Sequence, residues 1–330
     1  MSALQAVWQA AVVLLGGGLV GMVYKGVDRK IAARMQARIG PPLRQPFLDV
    51  GKLMVKEAVV PRTAVGWLFE AMPFLAVVAA GTALLYLPLG PFAPVLGAHG
   101  DAILVLYLLA VPALAMALGG FASGSPLATV GAQREIVMLM SYEFPLAVAL
   151  VGVAWRLSSL GIQPAFSLGT MAAQPLWGLV GPLGVLGLAI LFSCLLIVTP
   201  AELSKIPFDI PEAETEIAGG LMVEYSGVYL ALFYLADAVK TVVMAGLVVA
   251  LFVPFGLAAA VGLKGGVAQA VDTLFFLFKV LVVMLVAVTT VRVGMARLKV
   301  DQVARGFWLQ ITAVAVVGLL FLVLDKVVMG

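Results

Sequence analysis

Long apolar runs separated by short polar clusters dominate this chain. From Ala102 to Leu118, for example, the Ala, Val and Leu positions continue without a charged residue. Runs of ~20 such residues are long enough to cross a bilayer core as helices. The pattern predicts eight membrane helices, at roughly 5–26, 68–89, 101–121, 134–155, 178–199, 228–254, 271–292 and 305–325. A membrane β-barrel would need short segments alternating polar and apolar positions, and no such alternation is seen. One further segment has a different period. Within 43–57, Leu43, Phe47, Val50 and Met54 follow a 4-3-4 spacing, while Asp49, Lys52 and Lys56 fall on the opposite side. This predicts a helix lying in the interface plane, either a lipid-surface anchor or a docking platform for a soluble partner. The expected fold class is therefore an all-α integral membrane protein with about eight transmembrane helices plus one interfacial amphipathic helix. The whole of 1–330 reads as a single polytopic membrane domain, with a cytoplasmic segment at 27–67 and an acidic cytoplasmic loop at 200–227.

Composition agrees with lipid as the solvent. Of 330 residues, 63% are hydrophobic and 11% charged, too apolar for a water-soluble surface. One cysteine (Cys194) and one histidine (His99) leave little from which to build a metal centre within the chain. The net charge of +3 sits between hydrophobic spans, so nucleic acid is not expected as a partner. Lys and Arg are distributed unevenly. Fifteen lie in the first, third, fifth and seventh connections, and three (Arg156, Lys264 and Lys326) on the other side. The positive-inside rule then places both termini outside the cytoplasm. The first run has no Lys or Arg before it and basic residues after it, the reverse of a cleavable signal, so it reads as a permanent span.

Ionisable residues within spans cost at least a few kcal/mol and mark candidate functional sites. Glu143, Asp237, Lys240 and Lys279 are the clearest. Asp237 and Lys240, three apart on one helix, can face and neutralise each other. Glu143 has no opposite charge within a turn, and Glu135 and Tyr142 fall on nearly the same face beside it. The fifth connection is acidic where cytoplasmic loops are usually basic: Glu202, Asp209, Glu212, Glu214, Glu216 and Glu224 face only Lys205 across 202–224. If the stretch after Pro211 is helical, Glu212 and Glu216 share a face and Glu214 turns away. Crowded carboxylates have raised pKa values and can hold protons near neutral pH. The candidate proton or ion coupling residues are thus Glu143, Glu135, Glu202, Asp209, Glu212, Glu214, Glu216, Glu224, Asp237 and Lys240. Candidates for partner docking are Arg34, Arg38, Arg44, Asp49, Lys52 and Lys56. A stand-alone secondary transporter is a rival reading, but no internal repeat is visible.

The fifth connection also carries a resemblance. Ile206-Pro207-Phe208-Asp209-Ile210-Pro211-Glu212-Ala213-Glu214, followed by Val223-Glu224-Tyr225-Ser226-Gly227, resembles the signature of subunit 1 of NADH–quinone oxidoreductase, the membrane subunit that anchors the peripheral arm of respiratory complex I. That family includes the matching membrane subunits of energy-converting nickel–iron hydrogenases and formate hydrogenlyases. Arg38-Ile39-Gly40-Pro41, Gln45-Pro46-Phe47-Leu48-Asp49 and Ser141-Tyr142-Glu143 resemble its first cytoplasmic segment and fourth span. Three departures look like the hydrogenase branch. Ser204-Lys205 stands where the quinone-reducing members have Asn-Arg, Gly40-Pro41-Pro42-Leu43-Arg44-Gln45 is shorter, and Arg297-Leu298-Lys299-Val300-Asp301-Gln302 replaces an Arg-Tyr-Asp ending. The resemblance implies a subunit that is not catalytic alone but belongs to an ion-translocating oxidoreductase complex in the cell (inner) membrane. It would hold no cofactor itself. A nickel–iron centre and iron–sulfur clusters would lie in peripheral hydrogenase-like large and small subunits, with antiporter-like membrane subunits alongside. A quinone is implied only in the alternative reading, as the quinone-site subunit of NADH–quinone oxidoreductase.

Overall fold

The computed structural model describes residues 3–98 and 100–329, so His99 lies outside the described residues. Among the described residues, eight helices are long and apolar enough to cross a membrane. In chain order the main elements are α1 (Ala3–Met35), α2 (Gln45–Val55), α3 (Gly66–Leu85), α4 (Ala102–Ala122) and α5 (Pro126–Ser159). They continue with α6 (Pro182–Glu202), α7 (Gly227–Phe252), α8 (Gly265–Gly294) and α9 (Val300–Met329). All but α2 are spans. Each span falls where the apolar runs predict it, but several helices run further than their apolar cores. α1 continues to Met35 and carries Arg29 and Arg34 on its last turns, α5 begins eight residues before Arg134, and Glu202 ends α6 rather than opening a loop. Hydropathy marks the part of a helix in hydrocarbon; backbone hydrogen bonding carries the helix on into the interface.

Local signals set several starts. Asp101 caps α4 by accepting from the Leu104 amide at 3.0 Å. Pro126 and Pro182 occupy the first turns of α5 and α6, where no amide donor is needed. α7 is the central helix, with 89% of its apolar window buried, against 11% for α1 and 22% for α9 at the periphery. α3, α1, α2 and α8 pack around it, the α3–α4 pair leads on to α5, and α9 lies against α5 and α6. Between apolar helices in lipid, close packing rather than water exclusion holds the contact, which favours small residues. Ala110, Ala113, Ala117, Gly119 and Gly120 accordingly form the buried face of α4.

Within α8 and α9 the helix widens into π turns at Leu285–Thr289 and Gly306–Ile311, flanking the seventh connection. Arg29–Asp49, Arg134–Glu216, Arg292–Asp28 and Arg297–Asp209 ion pairs knit the first, third, fifth and seventh connections together at one end of the bundle.

The interfacial helix forms as expected at Gln45–Val55, but rotated. Its packed side is Pro46, Asp49, Val50 and Leu53, laid on α7. Leu43 and Met54, assigned by spacing to the apolar stripe, are exposed, and Asp49, assigned to the polar side, points inward. The inward charge of Arg29, 2.7 Å from Asp49, reverses which side of this short helix is preferred.

Candidate functional site

The fifth connection does not form one helix after Pro211. It makes two short turns, Ile210–Glu212 and Glu214–Ile217, broken by the extended backbone of Ala213. Glu212 and Glu216 therefore do not share a face. Glu212 and Glu214 turn towards a cavity, while Glu216 is exposed and pairs with Arg134 at 2.6 Å. The connection is seated on α5 through Gly131, where a Cβ would meet the Leu221 amide nitrogen at 2.7 Å. Gly220, at φ +48°, supplies the left-handed turn that allows this approach.

The cavity, of about 370 Å³, lies beneath this connection and is walled by α1, α2, α7 and the end of α6. Twelve of its 25 lining residues are acidic or basic. Most are closed into ion pairs across helices. One oxygen of Asp237 lies 2.7 Å from both Lys25 and Lys205. Lys240 lies 2.8 Å from Glu202, and both are almost fully buried. Arg292 and Thr289 bond the two oxygens of Asp28 at 2.8 and 2.6 Å, and the π turn at Leu285–Thr289 leads directly into this contact. Asp237 and Lys240 thus do not neutralise each other. Although three apart on α7, each finds a closer partner on another element.

The electrostatics outside the spans follow from this arrangement. Burial raises the Glu212 carboxyl above the usual glutamate range, with Lys205 opposing but not overturning the shift. Burial works against the Lys205 charge, but Asp237 and Glu212 outweigh it and hold that lysine above its usual range. For Asp49, burial is outweighed by hydrogen bonds from Arg29 and Gln45, which hold the carboxyl below its usual range.

Deeper in the bundle, α5 brings Glu135 and Tyr142 inward as their spacing predicts, each 1% exposed. Glu135 Oε1 and the Tyr142 hydroxyl have no hydrogen-bond partner among the described residues. Glu143 is half-buried beside them, within the field of Lys240 and Glu202. A buried polar oxygen without a partner is costly, so this cluster suits water or a mobile proton more than a dry core. Asp209 binds Arg297 bidentately, at 2.8 and 2.5 Å, and Glu224 is half-buried outside the cavity wall. Of the docking candidates, Arg34, Arg38, Arg44, Lys52 and Lys56 are exposed and Asp49 belongs to the cavity.

Sequence reasoning missed Lys25, Asp28, Arg156 and Asp325 as site or core charges. The first two lie past the apolar core of α1 and counted only as loop charges. Arg156 and Asp325 form a nearly dry pair at the opposite end of the bundle, 2.6 Å apart. Asp325 also accepts from the Gly181 and Gly184 amides at the start of α6. Nothing local links two residues so far apart in the chain.

The family model described as NADH dehydrogenase matches residues 8–323. The chain is 36% identical over 291 residues to hydrogenase-4 component C of Escherichia coli (strain K12), covering 86% of each chain. It is 33% identical over 276 residues to a membrane subunit of the NADH-quinone oxidoreductase of Thermomicrobium roseum, covering 76% of this chain and 77% of that one. Among solved structures it is similar to a chain of the membrane-bound sulfane sulfur reductase, an archaeal respiratory membrane complex, with a TM-score of 0.82 and 29% identity over 96% of this chain and 99% of that one. Motifs, helices and relatives agree, and the chain, a multi-pass membrane protein, belongs to the NADH dehydrogenase family of subunit 1 proteins.

Proposed function

We propose that this chain is the membrane-anchor and coupling subunit of a multisubunit, energy-converting hydrogenase-like complex in the cell membrane, with both termini outside. Redox chemistry occurs in peripheral subunits that carry a nickel–iron centre and iron–sulfur clusters and dock over the acidic connection and the exposed arginines and lysines of the first segment. A change of charge there alters the field on Glu212 and Glu214, and the cavity passes it inward through the Lys25–Asp237–Lys205 and Lys240–Glu202 groups to Glu135 and Glu143. From there it reaches antiporter-like membrane subunits and moves protons or sodium ions. The observation that carries this reading is the ion-paired cavity under the fifth connection, continued by buried carboxylates on α5.

The relatives from quinone-reducing complexes favour a second reading, in which the cavity takes a quinone. The lining suits that less well. Nearly half of the wall is acidic or basic and its pairs are already closed, an arrangement for water and small ions rather than an apolar ring. Isolating the native complex through a tag on this chain and measuring nickel and bound quinone separates the two. Nickel in stoichiometric amount without quinone supports the hydrogenase-like reading; quinone without nickel overturns it.

A further inference from the structure

The fifth connection touches α5 by a second route that avoids the cavity. Its Asp209 holds Arg297 of the seventh connection through both carboxylate oxygens, and its Pro207 carbonyl accepts from the Leu298 amide at 3.1 Å. One residue on from Pro207, the buried Phe208 meets Phe307 edge-on, with ring centroids 5.3 Å apart. Phe307 lies in the π turn Gly306–Ile311, and its carbonyl accepts from the Thr312 hydroxyl at 2.7 Å. The next residue, Trp308, faces the other way and packs on Phe144 of α5 at 5.5 Å. Phe144 is the neighbour of Glu143. Neither Phe144, Phe307 nor Trp308 lines the cavity.

A π turn holds one more residue than the α turn it replaces, and such turns recur at functional sites. Relaxing this one to α geometry would rotate Trp308 relative to Phe307, so two small arrangements of one segment would place Trp308 differently on α5. Packed segments of this kind respond in steps rather than continuously. We propose that the π turn at the start of α9 is a conformational link. It receives displacement of the fifth connection through the Asp209–Arg297 pair and the Phe208–Phe307 contact, and delivers it through Trp308 and Phe144 to the face of α5 that bears Glu143. Phe307 and Trp308 are positioning residues in this scheme. The link deepens the coupling reading above and rests on it for its purpose, since it supplies a mechanical path beside the electrostatic one through the cavity.

The test is a double-mutant cycle in the intact complex. The readout is the rate at which N,N′-dicyclohexylcarbodiimide modifies Glu143 at one fixed pH, followed by peptide mass. Arg297→Lys, which keeps the charge but loses the bidentate grip, changes this rate about fivefold, the low end of ordinary coupling between sites. In a Trp308→Leu background the same substitution changes nothing, and Trp308→Phe, which keeps a ring on Phe144, restores the response. Asp209→Asn opens the same pair from the other side and gives the same pattern. An Arg297→Lys effect that persists in full with Trp308→Leu, or no effect of opening the pair on Glu143, overturns the link. Labelling is read in the resting complex, so an unmodified complex that turns over without moving ions would overturn the coupling reading and not the link.

Discussion

Lys205 stands between two carboxylates of different character. Asp237 is bound to it and to Lys25 through a single oxygen, whereas Glu212 acts on it across the cavity without an ion pair. The raised Glu212 carboxyl has a direct consequence. A group whose folded pKa lies above its unfolded value favours folding fully below the ordinary glutamate range and loses that contribution as pH rises through the raised value. Lys205 titrates above this window and does not mask it. Glu212→Gln should therefore flatten the decline in stability between pH about 4 and about 8. Thermal unfolding of the purified complex across that range checks this, and parallel curves for the two proteins would contradict it. The carboxylates differ in weight. Glu216, on the surface with Arg134, should tolerate Gln with little loss, because exposed pairs contribute about 0–1 kcal/mol. Its expected place in the same proton path as Glu143 is not supported by its position outside the cavity.

At the scale of elements, the spans were legible because an apolar run of the right length leaves few alternatives in lipid. The face of α2 was not. Its packed side contains Asp49, a residue that spacing alone assigns to water, because the compensating charge comes from Arg29 on another helix. The acidic connection failed for a related reason: helical periodicity assumes a continuous helix, and Ala213 breaks it. The carboxylates were legible as a cluster but not as separate roles. α9 gives a prediction of its own. It has little buried surface, yet Asp325 ties it to Arg156 of α5 and to the first amides of α6. Arg156→Met leaves the Asp325 charge nearly dry and unpaired, at a cost of about 3–5 kcal/mol. Adding Asp325→Asn should recover much of the loss while keeping a group to receive the α6 amides. Thermal unfolding of the complex in detergent reads both steps, and a single variant as stable as the parent would refute a clamping role for this pair.

Taken whole, the molecule gathers its loop charges at one end, beneath which the ion-paired cavity leads to Glu202, Lys240, Glu135 and Glu143. Both the cavity and the aromatic contacts of α9 approach α5 at Glu143 and its neighbours, so the coupling account depends most on that carboxylate. Glu143→Gln keeps the shape and one accepting oxygen but removes the titratable proton. The direct test is redox-driven ion movement in proteoliposomes containing the assembled complex, measured together with electron transfer to artificial acceptors. The account predicts that Glu143→Gln assembles, retains most of its electron transfer and loses most of its ion movement. Full ion movement in the Glu143→Gln complex would contradict it.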